Sequence, residues 1–148
     1  MPEILIEDAT PSDANEVLGL LERTHLTTDG LVDHLSTTLV ARDSGRIVGS
    51  AALEIYNDGG LLRSVAVDPA MQGTGLGHRL TDAVTERAIE MGIPALYLLT
   101  TTAEHFFPRF GFSRIEREDV PASVRQSVEF QSACPSTAVV MRKLLIER

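Results

Sequence analysis

The sequence predicts a single α/β domain, residues 1–148, with a mixed sheet, on three observations. The 148 residues are 43% hydrophobic and 23% charged, the balance of one globular domain with a proper core. Short apolar runs of strand character alternate with amphipathic runs of helical period. The stretch from Leu61 to Met91 reads strand, glycine loop, helix. The apolar strand that follows it, Ala95–Thr100, is parallel to the first because a helical crossover joins them.

Taken in order, Ile4-Leu5-Ile6 forms a first strand. Thr10 caps a helix with Pro11 in its first turn, and Val17, Leu18, Leu20 and Leu21 give that helix its apolar face. A short helical piece covers Gly30 to Leu35. Thr38–Arg42 and Ile47–Tyr56 form a hairpin around the tight turn Asp43-Ser44-Gly45-Arg46, and Asn57-Asp58-Gly59-Gly60 is a second turn. Leu61–Val67 is the central strand, stopped by Asp68-Pro69 because proline fixes φ and offers no N–H. Leu76, Leu80, Val84, Ala88 and Met91 recur at helical spacing, and Gly92 and Pro94 end that helix. Beyond the strand Ala95–Thr100, the sequence predicts a strand at Arg114–Arg117, one or two helical turns within Pro121–Gln131, and a last strand over Thr137–Leu145.

The loop Gln72-Gly73-Thr74-Gly75-Leu76-Gly77-His78 opens the long helix. A helix start carries N–H groups without intrahelical partners and a positive dipole end, so such a loop suits phosphate or pyrophosphate. The dinucleotide pattern G-x-G-x-x-G, begun at Gly73, needs glycine where His78 stands. A ribose-binding acidic residue about 20 residues on is also missing. The triphosphate loop begun at Gly73 needs Gly-Lys where the chain has His78-Arg79. The spacing that fits is Gln/Arg-x-x-Gly-x-Gly/Ala, as Gln72-x-x-Gly75-x-Gly77 behind Val-Ala-Val-Asp-Pro.

That pattern resembles the acetyl-CoA loop of the GNAT N-acetyltransferases, and the element order up to the long helix, β-α-α-β-β-β-α, is theirs. The resemblance covers most of the chain. It implies a mixed, mostly antiparallel sheet splayed at the central strand and flanked by helices. It also implies acetyl-CoA as co-substrate, with pantetheine held by the backbone of Val65, Ala66 and Val67. Backbone N–H groups from Gln72, Gly73, Thr74, Gly75, Leu76, Gly77 and His78 would hold the pyrophosphate. The family's Asn-x-x-Ala-x-x-Leu-Tyr-x-x-x-Gly-Phe segment is matched at Ala103, Gly111 and Phe112. Thr100 stands for the Asn, Phe106 for the Leu and Phe107 for the Tyr. In many members that tyrosine protonates the departing CoA thiolate. Phe107 has no O–H, so another group or water does this, or the thiolate leaves unassisted, as a thiol pKa of about 8.5 allows. Thr100, Ala103, Phe106 and Phe107 are accordingly placed along the cofactor.

Leu61–Val67, Tyr97–Glu104, Glu129-Phe130 and Cys134-Pro135-Ser136 together resemble one branch of the family. It comprises the small GNATs of arsenic-resistance operons, with amino-acid acetyltransferases of the N-acetylglutamate-synthase type nearby. The branch implies an amino-acid-like acceptor.

The implied reaction needs a neutral amine, hence a base or water relay, and N–H donors for the oxyanion. Glu54, late in an apolar strand, is the candidate base; the plain alternative is a solvated face beside Tyr56. Arg63 interrupts the central strand, and its planar fork suits the carboxylate of an amino acid. Its plain alternative is a structural salt bridge, with Glu54 among the partners. Thr101, with Thr100 and Thr102, ends a parallel strand where ligands of α/β sheets bind. These threonines serve equally well as strand formers with hydroxyls bonded to local backbone. Cys134 is the one cysteine, so it forms no internal disulfide and excludes a cysteine zinc cluster. The four histidines lack metal-ligand spacing, and no metal is expected.

A net charge of -8 with one lysine, Lys143, leaves no basic patch for nucleic acid. No apolar run approaches the ~20 residues of a membrane span, and the N-terminal residues lack a signal-like pattern, so a cytoplasmic location is expected. A homodimer stays open. Two rival readings remain. A CoA-binding sensor without turnover draws weight from Phe107, and a phosphate-ligand enzyme is opposed by His78-Arg79.

Overall fold

The computed structural model of the chain describes residues 4–133 and 137–145. Seven strands form one sheet in the order β1-β2-β3-β4-β5-β7-β6. They are β1 (Ile4–Asp8), β2 (Thr38–Asp43), β3 (Arg46–Tyr56), β4 (Gly59–Val67), β5 (Ala95–Thr100), β6 (Ser113–Ile115) and β7 (Val139–Leu144). The helices are α1 (Ala14–Arg23), α2 (Leu76–Glu90) and the single turn α3 (Ala122–Arg125). The registered pairings β1/β2, β2/β3, β5/β7 and β6/β7 are antiparallel. The β4/β5 pairing is parallel and runs over Gly60↔Leu96 and Leu61↔Tyr97, a short ladder for strands of nine and six residues. This is the mixed, mostly antiparallel sheet that the family resemblance implies.

The chain divides into two compact units. The first runs to Leu53 and resumes over Ser64–Val84; the second holds Glu54–Arg63 and the residues from Thr85 on. In the first unit, Val17, Leu20 and Leu21 of α1 pack with Leu31, Val40, Ile47, Ala52 and Ala66. Full burial of such a leucine is worth roughly 1.5–3 kcal/mol. The turn between β2 and β3 has Ser44 at φ 52° and Gly45 at φ 85°, the two positive values that a tight hairpin demands. In the second unit, Leu61, Ala95, Tyr97, Val120, Val124 and Val140 form the core, with Tyr56, Leu99, Ile115 and Phe130 packed against it.

Several boundaries differ from the sequence expectation for local reasons. β1 runs to Asp8, two residues further than predicted, because Glu7 and Asp8 pair with Val40 and Leu39. Gly59 and Gly60 belong to β4 and not to the turn, which is Asn57-Asp58 alone. A Cβ on Gly59 would lie 2.9 Å from the Tyr97 ring and 3.1 Å from the Ala95 carbonyl oxygen, so glycine here permits close approach. Met91 is 48% exposed, because α2 stops at Glu90 and Gly92 reverses the chain at φ 76°. Ile93 takes the buried place instead, its N–H bonded to the Ala88 carbonyl. β6 is only Ser113–Ile115, since Glu116 starts a 3-10 turn over Arg117–Asp119, with the Glu116 N–H donating to Asp119. The last strand is Val139–Leu144, shorter than the predicted run. Within Pro121–Gln131 lie α3 and the start of a π-helical turn, Glu129–Ala133.

Gly59→Ala is expected to cost about 1–3 kcal/mol by overpacking the Tyr97 contact. Urea unfolding of the two proteins side by side measures the difference.

Candidate active site

The first unit builds a glycine loop. Asp68 ends β4: its N–H donates to the Val48 carbonyl at 2.8 Å, and its Oδ1 accepts from the Ala70 N–H at 3.0 Å. That backbone bond, with the Arg23 guanidinium at 3.2 Å, holds the Asp68 carboxyl below the usual carboxylate range. The 3-10 turn Pro69–Met71 follows, and then the loop. Gly73 and Gly75 take φ values of 83° and 85°, and a Cβ on either would meet nothing within 4 Å. Conformation, not space, calls for glycine at both. Gln72 Nε2 donates to the Val67 carbonyl at 3.3 Å and Thr74 Oγ1 to the Met71 carbonyl at 2.6 Å, so both side chains brace the loop. Gln72 through Gly75 are exposed, Leu76 is buried and Gly77 is half-buried. His78 is exposed, its Nε2 3.2 Å from Asp82 Oδ2 one turn on. α2 starts at Leu76, so the first turn of N–H groups opens beside exposed glycine backbone, the geometry that binds anionic oxygens.

Val65 and Val67 are half-buried and Ala66 is buried. Just before them, Ser64 has φ 57°, a rare value for a residue within a strand. Its carbonyl accepts from Ser50 Oγ at 2.7 Å, a buried bond that steadies the irregularity.

The second unit contains a buried ionic cluster. Arg63 Nη1 donates to Glu54 Oε2 at 2.9 Å, and Arg63 Nε lies 3.5 Å from Glu129 Oε2. The other Glu54 oxygen accepts from the Tyr56 hydroxyl. Glu54 is 1% exposed, Arg63 2% and Glu129 5%. Glu54 is therefore not on a solvated face, and Arg63 does make the salt bridge that was its plain alternative. Glu54 and Tyr56 meet because residues two apart on a strand share a face.

A guanidinium between two carboxylates leaves one negative charge uncompensated within this cluster if all three ionise. Glu129 carries the strain. Its pKa is pushed up from 4.5 to about 7, first by burial, with Arg63 pulling it down and the Glu54 charge adding to the rise. Burial, and then the bond to Glu54, also raise the Tyr56 phenol, so its hydroxyl keeps its proton across the neutral range. Neither Tyr56 nor Glu129 was assigned a role from sequence. A carboxylate between apolar Val128 and Phe130, and a tyrosine two residues from a strand carboxylate, were the available signals.

The segment after β5 divides its predicted residues. Thr100 is buried, and its Oγ1 accepts from the N–H groups of Ala103 at 2.9 Å and Thr102 at 3.4 Å. The hydroxyl thus braces local backbone, while Thr101 is exposed and Ala103 half-buried. Phe107 is buried, its ring 5.1 Å from Phe106 and 5.8 Å from Phe112, centroid to centroid. Phe106 is half-buried. Cys134, Pro135 and Ser136 lie outside the described residues. Among the described residues, no group of three or more His, Cys, Asp or Glu is placed to hold a metal ion. Nor is any helix there long and apolar enough to cross a membrane.

A glycine loop opening a helix behind a kinked central strand, in a sheet with one short parallel ladder, defines the acetyltransferase class of α/β domain. The chain belongs to the GNAT acetyltransferase family: the acetyltransferase (GNAT) domain model matches residues 34–114, more than half of its length. It is 37% identical over 102 residues to an amino-acid acetyltransferase of Mycobacterium tuberculosis, covering 68% of this chain and 55% of that one. It is 33% identical over 150 residues to an amino-acid acetyltransferase of Ralstonia nicotianae, covering 94% of this chain and 32% of that one. The chain thus spans about half or less of the length of these relatives. Among solved structures, Rv2747 from Mycobacterium tuberculosis, in complex with CoA, is 28% identical with a TM-score of 0.80. That match covers 96% of this chain and 99% of that one. N-acetylglutamate synthase from Neisseria gonorrhoeae, complexed with coenzyme A and N-acetyl-glutamate, has a TM-score of 0.83 at 24% identity. It covers 99% of this chain and 36% of that one, and shares the fold.

The raised Glu129 carboxyl predicts a pH dependence of stability. The folded state keeps a proton that the unfolded chain releases near 4.5. Its contribution is therefore full below that value and is lost as pH rises through about 7. Melting temperatures from pH 5 to pH 8 should fall more steeply for the wild type than for Glu129→Gln. In free energy of unfolding, the wild type is expected to lose on the order of 1–3 kcal/mol relative to Glu129→Gln over that range.

Proposed function

We propose that this chain is an acetyl-CoA-dependent N-acetyltransferase acting on the amine of an amino acid or close analogue. The observation that carries the reading is the buried Arg63, a planar guanidinium in the central strand of an acetyltransferase fold. Its fork matches the carboxylate that distinguishes an amino acid from other amines. The amino-acid acetyltransferases among the relatives support the same acceptor class. The CoA complex of Rv2747 supports the co-substrate. No metal is required. A small-molecule acceptor and a cytoplasmic setting complete the reading.

In this proposal, loop N–H groups from Gln72 to His78 hold the pyrophosphate and the Val65–Val67 backbone holds pantetheine. Thr100, Ala103, Phe106 and Phe107 line the cofactor, and Thr101 contacts the acceptor. The neutral amine attacks the thioester carbonyl carbon; the C–N bond forms, the tetrahedral oxyanion collapses and the C–S bond breaks. The amine's proton goes to Glu54. Because Glu54 is buried and Tyr56 is half-buried with its hydroxyl on Glu54, Tyr56 is the relay between them. The Tyr56 hydroxyl passes its proton inward and takes one from the amine. The CoA thiolate, which Phe107 cannot protonate, leaves and is protonated by water.

Thiol release from acetyl-CoA, screened across amino acids and their phosphono and arseno analogues, tests this reading. Turnover is expected with one or a few of them. Glu54→Gln and Tyr56→Phe should each lower kcat by about 10²-fold, the usual size of a lost acid–base group. Arg63→Lys should raise the acceptor KM at least tenfold by losing the bidentate fork. Binding of acetyl-CoA without release to any amine would favour the sensor reading.

A further inference from the structure

Arg63 is not waiting empty. Glu54 takes its Nη1 at 2.9 Å, and Glu129 stands against its Nε at 3.5 Å, the longer and looser of the two pairs. We propose that Glu129 is a built-in stand-in for the acceptor's carboxylate: it occupies the Nε edge of Arg63 in the free protein and is displaced when an amino acid binds there. This rests on the reading that Arg63 holds the acceptor.

Three observations carry the exchange. The first is chemical. A glutamate side chain ends in the same planar group as an amino acid, so the swap keeps the shape of the group against Arg63. The incoming carboxylate brings a full negative charge where Glu129, raised to about 7, holds its proton part of the time. Glu54 on β3 and Arg63 on β4 keep their own bond throughout, with the Tyr56 hydroxyl still on Glu54.

The second is energetic. Glu129 is a buried carboxyl whose desolvation Arg63 only partly offsets. Moving it toward water returns hydration that it lacks inside, which offsets part of the work of opening the site.

The third is the path. Glu129 starts the π-helical turn Glu129–Ala133, a rare conformation found mostly as single turns and frequently at functional sites. Phe130 and Gln131 of that turn line a surface cavity of about 350 Å³ with Arg117, Ala122, Arg125 and Gln126. This is small-ligand size, and its guanidinium groups attract an anionic acceptor. The Arg117 guanidinium lies 5.8 Å from the Phe130 ring centroid, and Gln131 Nε2 holds the Arg125 carbonyl at 2.8 Å. In this proposal, rotation of the turn is the movement that takes Glu129 off Arg63, and its neighbours Phe130 and Gln131 already face the cavity.

The test compares two acceptors: the amino acid that gives the fastest thiol release, and its α-carboxamide, which lacks the carboxylate. The quantity read is the ratio of their KM values in the wild type, Arg63→Lys, Glu129→Gln and, should the glutamine variant melt below assay temperature, Glu129→Met. The wild type should favour the acid, and Arg63→Lys should abolish that preference. Removing the internal competitor should increase the acid's advantage at least threefold, through a lower KM for the acid. If the wild type shows no preference for the acid, or no amino acid is turned over, the Arg63 reading falls and the stand-in with it. If the wild type prefers the acid through Arg63 but the Glu129 variants leave the ratio unchanged or reduce it, the stand-in alone is overturned.

Discussion

The guanidinium of Arg63 is the interaction on which the rest of the second unit depends. A charge in the middle of an apolar strand is tolerated only when it is paired and hydrogen-bonded. Glu54 from the preceding strand supplies a tight partner and Glu129 a looser one. The two carboxyls do not share the burden equally, because only Glu54 also receives the Tyr56 hydroxyl. The cluster therefore has one firm side and one yielding side. Breaking the firm side strands a buried charge; breaking the yielding side releases a carboxyl that burial already disfavours. The proposed chemistry uses that asymmetry: the firm side keeps the base and its relay, and the yielding side admits the substrate.

The first unit solves a different problem, that of presenting backbone. Asp68 turns the chain out of β4 by accepting from the Ala70 N–H and by pairing with Arg23. Two glycines at positive φ then carry the chain into α2, with Leu76 and Leu80 buried beneath. Gly49 of β3 belongs to the same construction. A Cβ there would come within 2.8 Å of Leu80 Cδ1, so the helix lies close to the strand and the loop has little freedom to drift. In the proposed function, this is preorganisation for a ligand bound mainly through backbone N–H groups.

Much of this was legible in the sequence, where local rules dominate. The hairpin around Ser44-Gly45, the Asp-Pro stop and the Gly92 helix end follow from backbone sterics that a few residues decide. The loop's identity needed elimination: His78 and Arg79 contradict the two commoner phosphate loops. What sequence reasoning missed depends on contacts between distant segments. Gly59 was read as a turn residue because glycine's tolerance of positive φ is visible in a sequence, whereas the Tyr97 ring lying over it is not. Glu129 stood beside Phe130 only as a point of resemblance. Its meeting with Arg63, 66 positions earlier in the chain, is a product of tertiary packing. Arg63 stands out in the sequence as a charge interrupting an apolar strand, with Glu54 among its expected partners; Glu129 came into view only with the fold.

Isothermal titration of the purified protein with acetyl-CoA, alongside Gly75→Glu, tests the central claim most directly. Gly75 has φ 85° and an open face, so a glutamate there both strains the backbone and places a negative charge where the pyrophosphate is expected. Saturable one-to-one binding to the wild type, abolished by the substitution, is the predicted result. No binding to the wild type, or equal binding to both proteins, would contradict the assignment of this loop and the acetyl transfer built on it.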